Sequence, residues 1–153
     1  MTDLLIQTAH LRLSPRTLAE MEALRAQETD PEMRKAYGEM LNLMRAEPGN
    51  EEYTCDWKIH LPDGTVIGGA GFKGTPSADG DVEIGYGIDE QYCCRGYATE
   101  AVQAMTAWAL AQPGVRRVLA QTEPGNAISQ RVLQKCGFVP CGQGDEGPMF
   151  GRT

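Results

Sequence analysis

The chain has 153 residues, 41% of them hydrophobic and 23% charged, enough for one domain spanning residues 1–153 to bury a single core without disulfide or metal staples. Its 21 acidic against 14 basic residues set a formal net charge of -7, opposite in sign to what sequence-independent attraction to nucleic acid requires. General nucleic-acid binding is excluded on that ground. A small phosphate-bearing ligand is not, because the Debye length at physiological salt is about 8 Å and distant carboxylates are screened.

No amino-terminal stretch reads as a secretory signal, since Leu4-Leu5-Ile6 is short and Asp3 precedes it. No segment approaches the roughly 20 apolar residues of a membrane-spanning helix, so no membrane partner is expected. The five cysteines, Cys55, Cys93, Cys94, Cys136 and Cys141, are odd in number, two are adjacent and none forms a CxxC pair. That pattern argues against a disulfide framework and for a cytoplasmic protein. His10 and His60 lack ligand spacing, and no metal site is predicted.

In chain order, Leu4 to Leu13 reads as an extended, half-buried strand, and Ser14-Pro15 as the start of a helix carrying Leu18, Met21 and Leu24. A second helix follows Asp30-Pro31, with Met33, Tyr37, Met40, Leu41 and Met44 at helical spacing. The period then changes. Tyr53 to His60, a Pro62-Asp63-Gly64 turn and Thr65 to Phe72 read as a β-hairpin, followed by a strand from Asp81 to Asp89. A helix from about Gly96 to Ala111, a strand from Val118 to Thr122, a helix from Asn126 to Cys136 and two closing strands complete the order. This is a mixed α/β chain with a largely antiparallel sheet flanked by helices.

Three segments bear on chemistry. In DVEIGYGID, alternation puts Val82, Ile84, Tyr86 and Ile88 on one face of the strand and Glu83, Gly85 and Gly87 on the other. Glycines in a strand mark either a bulge, with Glu83 a solvated residue, or an open slot with a carboxylate at its wall. In QYCCRGYATEA, Arg95-Gly96-Tyr97-Ala98 joins strand to helix; small residues at such a junction leave amide N–H groups uncovered for an anion. In NAISQRVLQKCGF, Asn126 reads as the helix cap and Gly137 as its close. Ser129, one turn in, has a hydroxyl able to donate to a neighbouring group.

Together these segments resemble the GNAT superfamily of N-acetyltransferases, and more closely its ribosomal-protein N-terminal acetyltransferase-like branch. The resemblance covers about residues 65–138. The family's Gln/Arg-x-x-Gly-x-Gly/Ala loop falls on Cys93-Cys94-Arg95-Gly96-Tyr97-Ala98, with Cys93 standing where the family has arginine or glutamine. Gly96-Tyr97-Ala98-Thr99-Glu100-Ala101 matches the start of the family's next helix, and Asn126, Ser129 and Gly137-Phe138 match its late helix. The tyrosine that serves many members as general acid falls at Leu133.

The resemblance implies a GNAT-like fold and transfer of an acetyl group from acetyl-CoA to a primary amine, a protein N-terminus or a small cationic amine. It implies that the 93–99 loop holds the diphosphate, that pantetheine pairs with backbone near Gly87 and Ile88, that Asn126 orients the cofactor and that Ser129 donates to the sulfur. Glu83 is the candidate to take the amine's proton, directly or through water. A homodimer is compatible with this reading. The acceptor pocket is expected from the first two helices, the hairpin and the last loop, with Met40, Met44 and Trp57 as its apolar residues. The alternative is a non-catalytic acetyl-CoA-binding or regulatory domain of the same fold.

Overall fold

The computed structural model describes residues 4–153; Asp3 lies outside the described residues. The described chain forms one eight-stranded sheet in the order β1-β2-β3-β4-β5-β6-β8-β7, with five α-helices packed against it. The strands are β1 (Ile6–Gln7), β2 (Arg12–Pro15), β3 (Asp56–His60), β4 (Val66–Phe72), β5 (Asp81–Ile88), β6 (Arg117–Gln121), β7 (Val139–Gln143) and β8 (Pro148–Arg152). The helices are α1 (Leu18–Gln27), α2 (Pro31–Ala46), α3 (Glu51–Thr54), α4 (Tyr97–Leu110) and α5 (Ala127–Lys135). Neighbouring strands are antiparallel except β5 and β6, which run parallel.

Three boundaries differ from the sequence reading. The segment 4–13 is two strands, because Thr8 N–H donates to the Leu11 carbonyl and folds β1 back on β2. Ser14-Pro15 does not start the helix: β2 runs through Pro15, which pairs with Trp57. The start is Thr17, whose hydroxyl accepts from Glu20 N–H while the Glu20 carboxylate accepts from Thr17 N–H. This reciprocal capping box satisfies two free amides at once, which Ser14 cannot do from inside a strand. Tyr53 is not in the hairpin. It sits in the short α3, and its ring packs against Phe72 and Trp108.

Alternation along the strands sorts the two faces of the sheet. Trp57, Ala70 and Tyr86 form one cross-strand row, and Trp57 is fully buried against Trp108 of α4. The other face carries rows of one charged residue and two glycines: Asp56, Gly71 and Gly85 in one, Lys58, Gly69 and Gly87 in the next. Four glycines therefore strip side chains from the middle of β4 and β5. Two of the expected pocket residues, Trp57 and Met44, belong to the core instead.

Candidate active site

The parting of β5 from β6 creates the site. The two strands pair only at Asp81, Val82 and Glu83, opposite Arg117, Val118 and Leu119. Lys73 N–H donates to the Glu83 carbonyl, and Asp89 N–H donates to the Ile67 carbonyl. Odd-numbered residues of β5 thus turn their backbone groups to β4, and even-numbered ones turn theirs toward β6. Beyond Glu83, the N–H and C=O groups of Tyr86 and Ile88 face a gap. Gly87 pairs with Gly69 of β4, so its contribution at this edge is shape rather than a free backbone donor.

One cleft of about 490 Å³ occupies that gap and runs to the start of α4. Its walls include Gly87, Ile88, Cys93, Cys94, Gly96, Tyr97, Ala98 and Thr99 on one side, and Asn126 and Ser129 on the other. Gly96 is the N-cap of α4 with φ +84°, and no side chain caps that helix end. The first-turn amides are consequently open to an anion, with the helix dipole behind them. Cys94 also takes a left-handed φ of 65°, so the loop is a tight turn that exposes backbone.

Sequence reasoning places Arg95 in the loop expected to hold the diphosphate, but its guanidinium lies over the Tyr92 ring, 5.8 Å from the centroid. Two cations that it missed, Arg131 and Lys135 of α5, line the cleft instead. Their i, i+4 spacing places them on one helical face with Ile128, the only signal that could have found them. Ile128 is 74% exposed at the same wall. Cys94 Sγ lies 3.7 Å from Cys93 Sγ, and that contact pushes the Cys93 thiol up from its ordinary pKa.

Asn126 caps α5, its Oδ1 accepting from Ser129 N–H at 3.0 Å. The Ser129 hydroxyl meets the Tyr86 hydroxyl at 2.6 Å, and Tyr86 also donates to the Ser129 carbonyl at 3.3 Å. Burial raises the Tyr86 phenol above its ordinary value, against the Ser129 hydrogen bond, which lowers it. The phenol is therefore a neutral donor at physiological pH. Leu133 is fully buried core, and the hydroxyl beside Ser129 comes from β5 rather than from α5.

A second cleft of about 590 Å³ lies on the other face of the sheet, over Gly69, Gly71, Gly85 and Gly87. Leu24, Met33, Tyr37 and Met40 wall it, and Arg16 and Asp56 stand within it. A Cβ at Gly85 or Gly87 would meet nothing within 4 Å, so these glycines keep space open. The two clefts share Tyr86, Gly87 and Ile88, where a group in one can reach a group in the other.

Glu83 lines neither cleft. Its carboxylate accepts from the Gln121 amide at 3.0 and 3.2 Å and pairs with the Lys73 ammonium at 2.6 Å. Lys73 in turn pairs with Glu146 at 2.6 Å. Among the described residues, no group of three or more His, Cys, Asp or Glu is placed to hold a metal ion.

Residues 10–139 match the acetyltransferase (GNAT) domain family. The chain is 39% identical over 74 residues to the uncharacterized N-acetyltransferase YjdG of Bacillus subtilis, covering 48% of this chain and 44% of that protein. The matched stretch is thus under half the length of that relative. Among solved structures, an acetyltransferase from Agrobacterium tumefaciens superposes with TM-score 0.75 at 19% identity, covering 100% of this chain and 96% of that one. A RimL ribosomal alpha-N-protein acetyltransferase in complex with coenzyme A superposes with TM-score 0.74 at 18% identity, covering 97% of both chains. At these identities the structural likeness is one of fold.

Proposed function

The chain belongs to the GNAT acetyltransferase family, and on that footing we propose that it moves an acetyl group from acetyl-CoA directly to a primary amine, a protein N-terminus or a small cationic amine. The observation that carries this reading is the meeting of the two clefts at Tyr86, Gly87 and Ile88. One has the features of an acyl-CoA site, the other has room for an acceptor, and direct transfer needs both reactants in one contact geometry.

The residues present fit the cofactor. The uncapped start of α4 at Gly96, Tyr97, Ala98 and Thr99 supplies amides for a diphosphate, with Cys93, Cys94 and Arg95 in the preceding turn and Arg131 and Lys135 lining the same cleft. The unpaired backbone edge at Tyr86 and Ile88 supplies what an amide-bearing pantetheine arm would pair with, beside Gly87. Exposed Ile128 supplies apolar cover. When bound, acetyl-CoA supplies an activated acyl carbon and a thiolate leaving group.

The chain's own groups then divide the work. A backbone N–H at the β5 edge stabilises negative charge developing on the carbonyl oxygen. Ser129, held between Asn126 and Tyr86, donates a proton toward the departing sulfur, and Tyr86 keeps that hydroxyl aimed. The sequence reading makes Glu83 the amine's proton acceptor. In that role it must first be released by Lys73, whose ammonium stands at the end of the acceptor cleft. Five free cysteines support a cytoplasmic setting.

The test is release of free CoA from acetyl-CoA across a panel of amines, peptides and aminoglycosides, with mass spectrometry of the product. Transfer to at least one amine class is expected. A CoA-induced rise in melting temperature with no transfer to any acceptor would replace this reading with a non-catalytic acetyl-CoA-binding domain.

A further inference from the structure

Two carboxylates lie on the acceptor face of the sheet near β5, Glu83 and Asp56, and their surroundings differ. Glu83 is four residues from Gly87 along β5, about 13 Å at the rise of an extended strand, and its oxygens are taken by Gln121 and Lys73. Asp56 lines the acceptor cleft itself. Its carboxylate leans over Gly69: a Cβ there would lie 2.7 Å from Asp56 Oδ2. Gly69 pairs directly with Gly87, and the Cα atoms of such a hydrogen-bonded antiparallel pair are about 5.5 Å apart. The Asp56 carboxylate is therefore one strand spacing from Gly87, one of the residues that both clefts share, and Gly69 places no side chain between.

We infer that Asp56 receives the acceptor's ammonium in this cleft and takes its proton, in place of Glu83, and that the acceptor is a primary amine on a slender, largely apolar stem. The assignment rests on the acetyl-transfer reading above. The stem follows from the walls, Leu24, Met33 and Met40 over a floor of glycine.

The charges around Asp56 fit a proton acceptor. Arg16, from the corner between β2 and α1, pairs with Oδ2, and side-chain exposure of the two is only 10% and 19%. Oδ1 has no hydrogen-bond partner among the described residues. Burial pushes the Asp56 carboxyl up to about 6, against Arg16, which lowers it. A carboxylate of that basicity is ionised at neutral pH and is better matched to an amine than an ordinary one. From the other elements, Tyr37 of α2, Glu28 after α1 and Asp89 after β5 complete the setting; Tyr37 is raised first by burial and then by Asp56, Glu28 and Asp89. Lys58 of β3 is tied to Glu20, and Lys73 after β4 to Glu83 and Glu146. Asp56, Glu28 and Asp89 outnumber Arg16 around Tyr37 at the cleft, a charge balance that favours capture of an ammonium.

The step balances. Asp56 Oδ1 takes one proton from R–NH3+, leaving R–NH2, whose lone pair forms the C–N bond to the thioester carbonyl carbon. The C–S bond breaks with its electron pair passing to sulfur. The second nitrogen proton replaces the one Ser129 gives to the thiolate, and Asp56 returns its proton to water. The products are the N-acetylated amine, CoA thiol and one released proton.

The test compares kcat/KM against pH for wild type, Asp56→Asn and Glu83→Gln on an amine the wild type acetylates. The wild-type profile is expected to fall below about pH 6, Asp56→Asn to lose about 100-fold in kcat/KM together with that acid limb, and Glu83→Gln to lose less than about tenfold and keep it. The CoA-induced thermal shift should be the same in all three. Because Asp56→Asn leaves Arg16 without its counter-ion, the double variant Arg16→Gln/Asp56→Asn is measured too, with the same loss expected. Activity of either Asp56 variant within threefold of wild type, or an acid limb lost in Glu83→Gln instead, overturns the assignment while leaving acetyl transfer standing. A wild-type protein that binds CoA and acetylates no amine overturns both.

Discussion

The hydroxyls of Tyr86 and Ser129 lie 2.6 Å apart, joining β5 to the first turn of α5 at the point where the two clefts meet. A serine held this way has one orientation toward the gap between the strands instead of three. Tyr86→Phe is expected to lower kcat about tenfold and Ser129→Ala by about 10- to 100-fold, each with CoA affinity nearly unchanged. Since the two act as one unit, the double variant should be little worse than Ser129→Ala alone. Steady-state kinetics with isothermal titration of CoA measures both quantities.

Glycines in the two clefts should respond in opposite ways. Gly96 has φ +84°, where a Cβ costs about 1–2 kcal/mol, so Gly96→Ala should lower the melting temperature by several degrees and weaken CoA binding. At Gly87 a Cβ meets only open space. Gly87→Ala should keep the melting temperature or raise it slightly, while raising the acceptor KM because the methyl group occupies the cleft floor. Thermal melts and acceptor titrations distinguish the two.

Arg131 and Lys135 line the same cleft as the uncapped start of α4; if that cleft holds CoA as proposed, both cations contribute to its binding. Replacing either with alanine should raise the CoA dissociation constant roughly three- to tenfold. The effect should shrink at high salt. Arg95→Ala, whose guanidinium is over Tyr92, should change CoA affinity less than either.

Thr106 of α4 is fully buried, and its hydroxyl has no hydrogen-bond partner among the described residues. Thr106→Val removes that stranded polar atom at nearly constant volume. A gain of about 1 kcal/mol is expected, or a melting-temperature rise of about 2–4 °C, with activity unchanged.

The loop and helix motifs were readable before folding because they report local physics. Gly96 marks a left-handed cap, and Asn126 and Ser129 sit at fixed offsets in one helical turn. Period-two alternation placed Glu83, Gly85 and Gly87 on one face of β5 correctly. The helix start at Thr17 was equally local, written as Thr17-x-x-Glu20, but Ser14-Pro15 offered a rival signal three residues earlier. Arg131 and Lys135 belong to no motif in the sequence; only the packing of α5 beside β5 brings them to the cleft.

What the linear order of residues settled by itself was the class of fold, the family and the local motifs at Gly96 and at Asn126–Ser129, because those depend on contacts between near neighbours. Folding alone decided which groups face one another across the strands. Asp56 comes 31 residues before Gly87 and carries no motif; only the pairing of β3 with β4 and β4 with β5 sets its carboxylate beside that glycine. The same packing tied Glu83 to Lys73 and Gln121. Sequence spacing says which residues share a helical turn or a strand face, but charge pairing and burial across strands exist only once the sheet has formed.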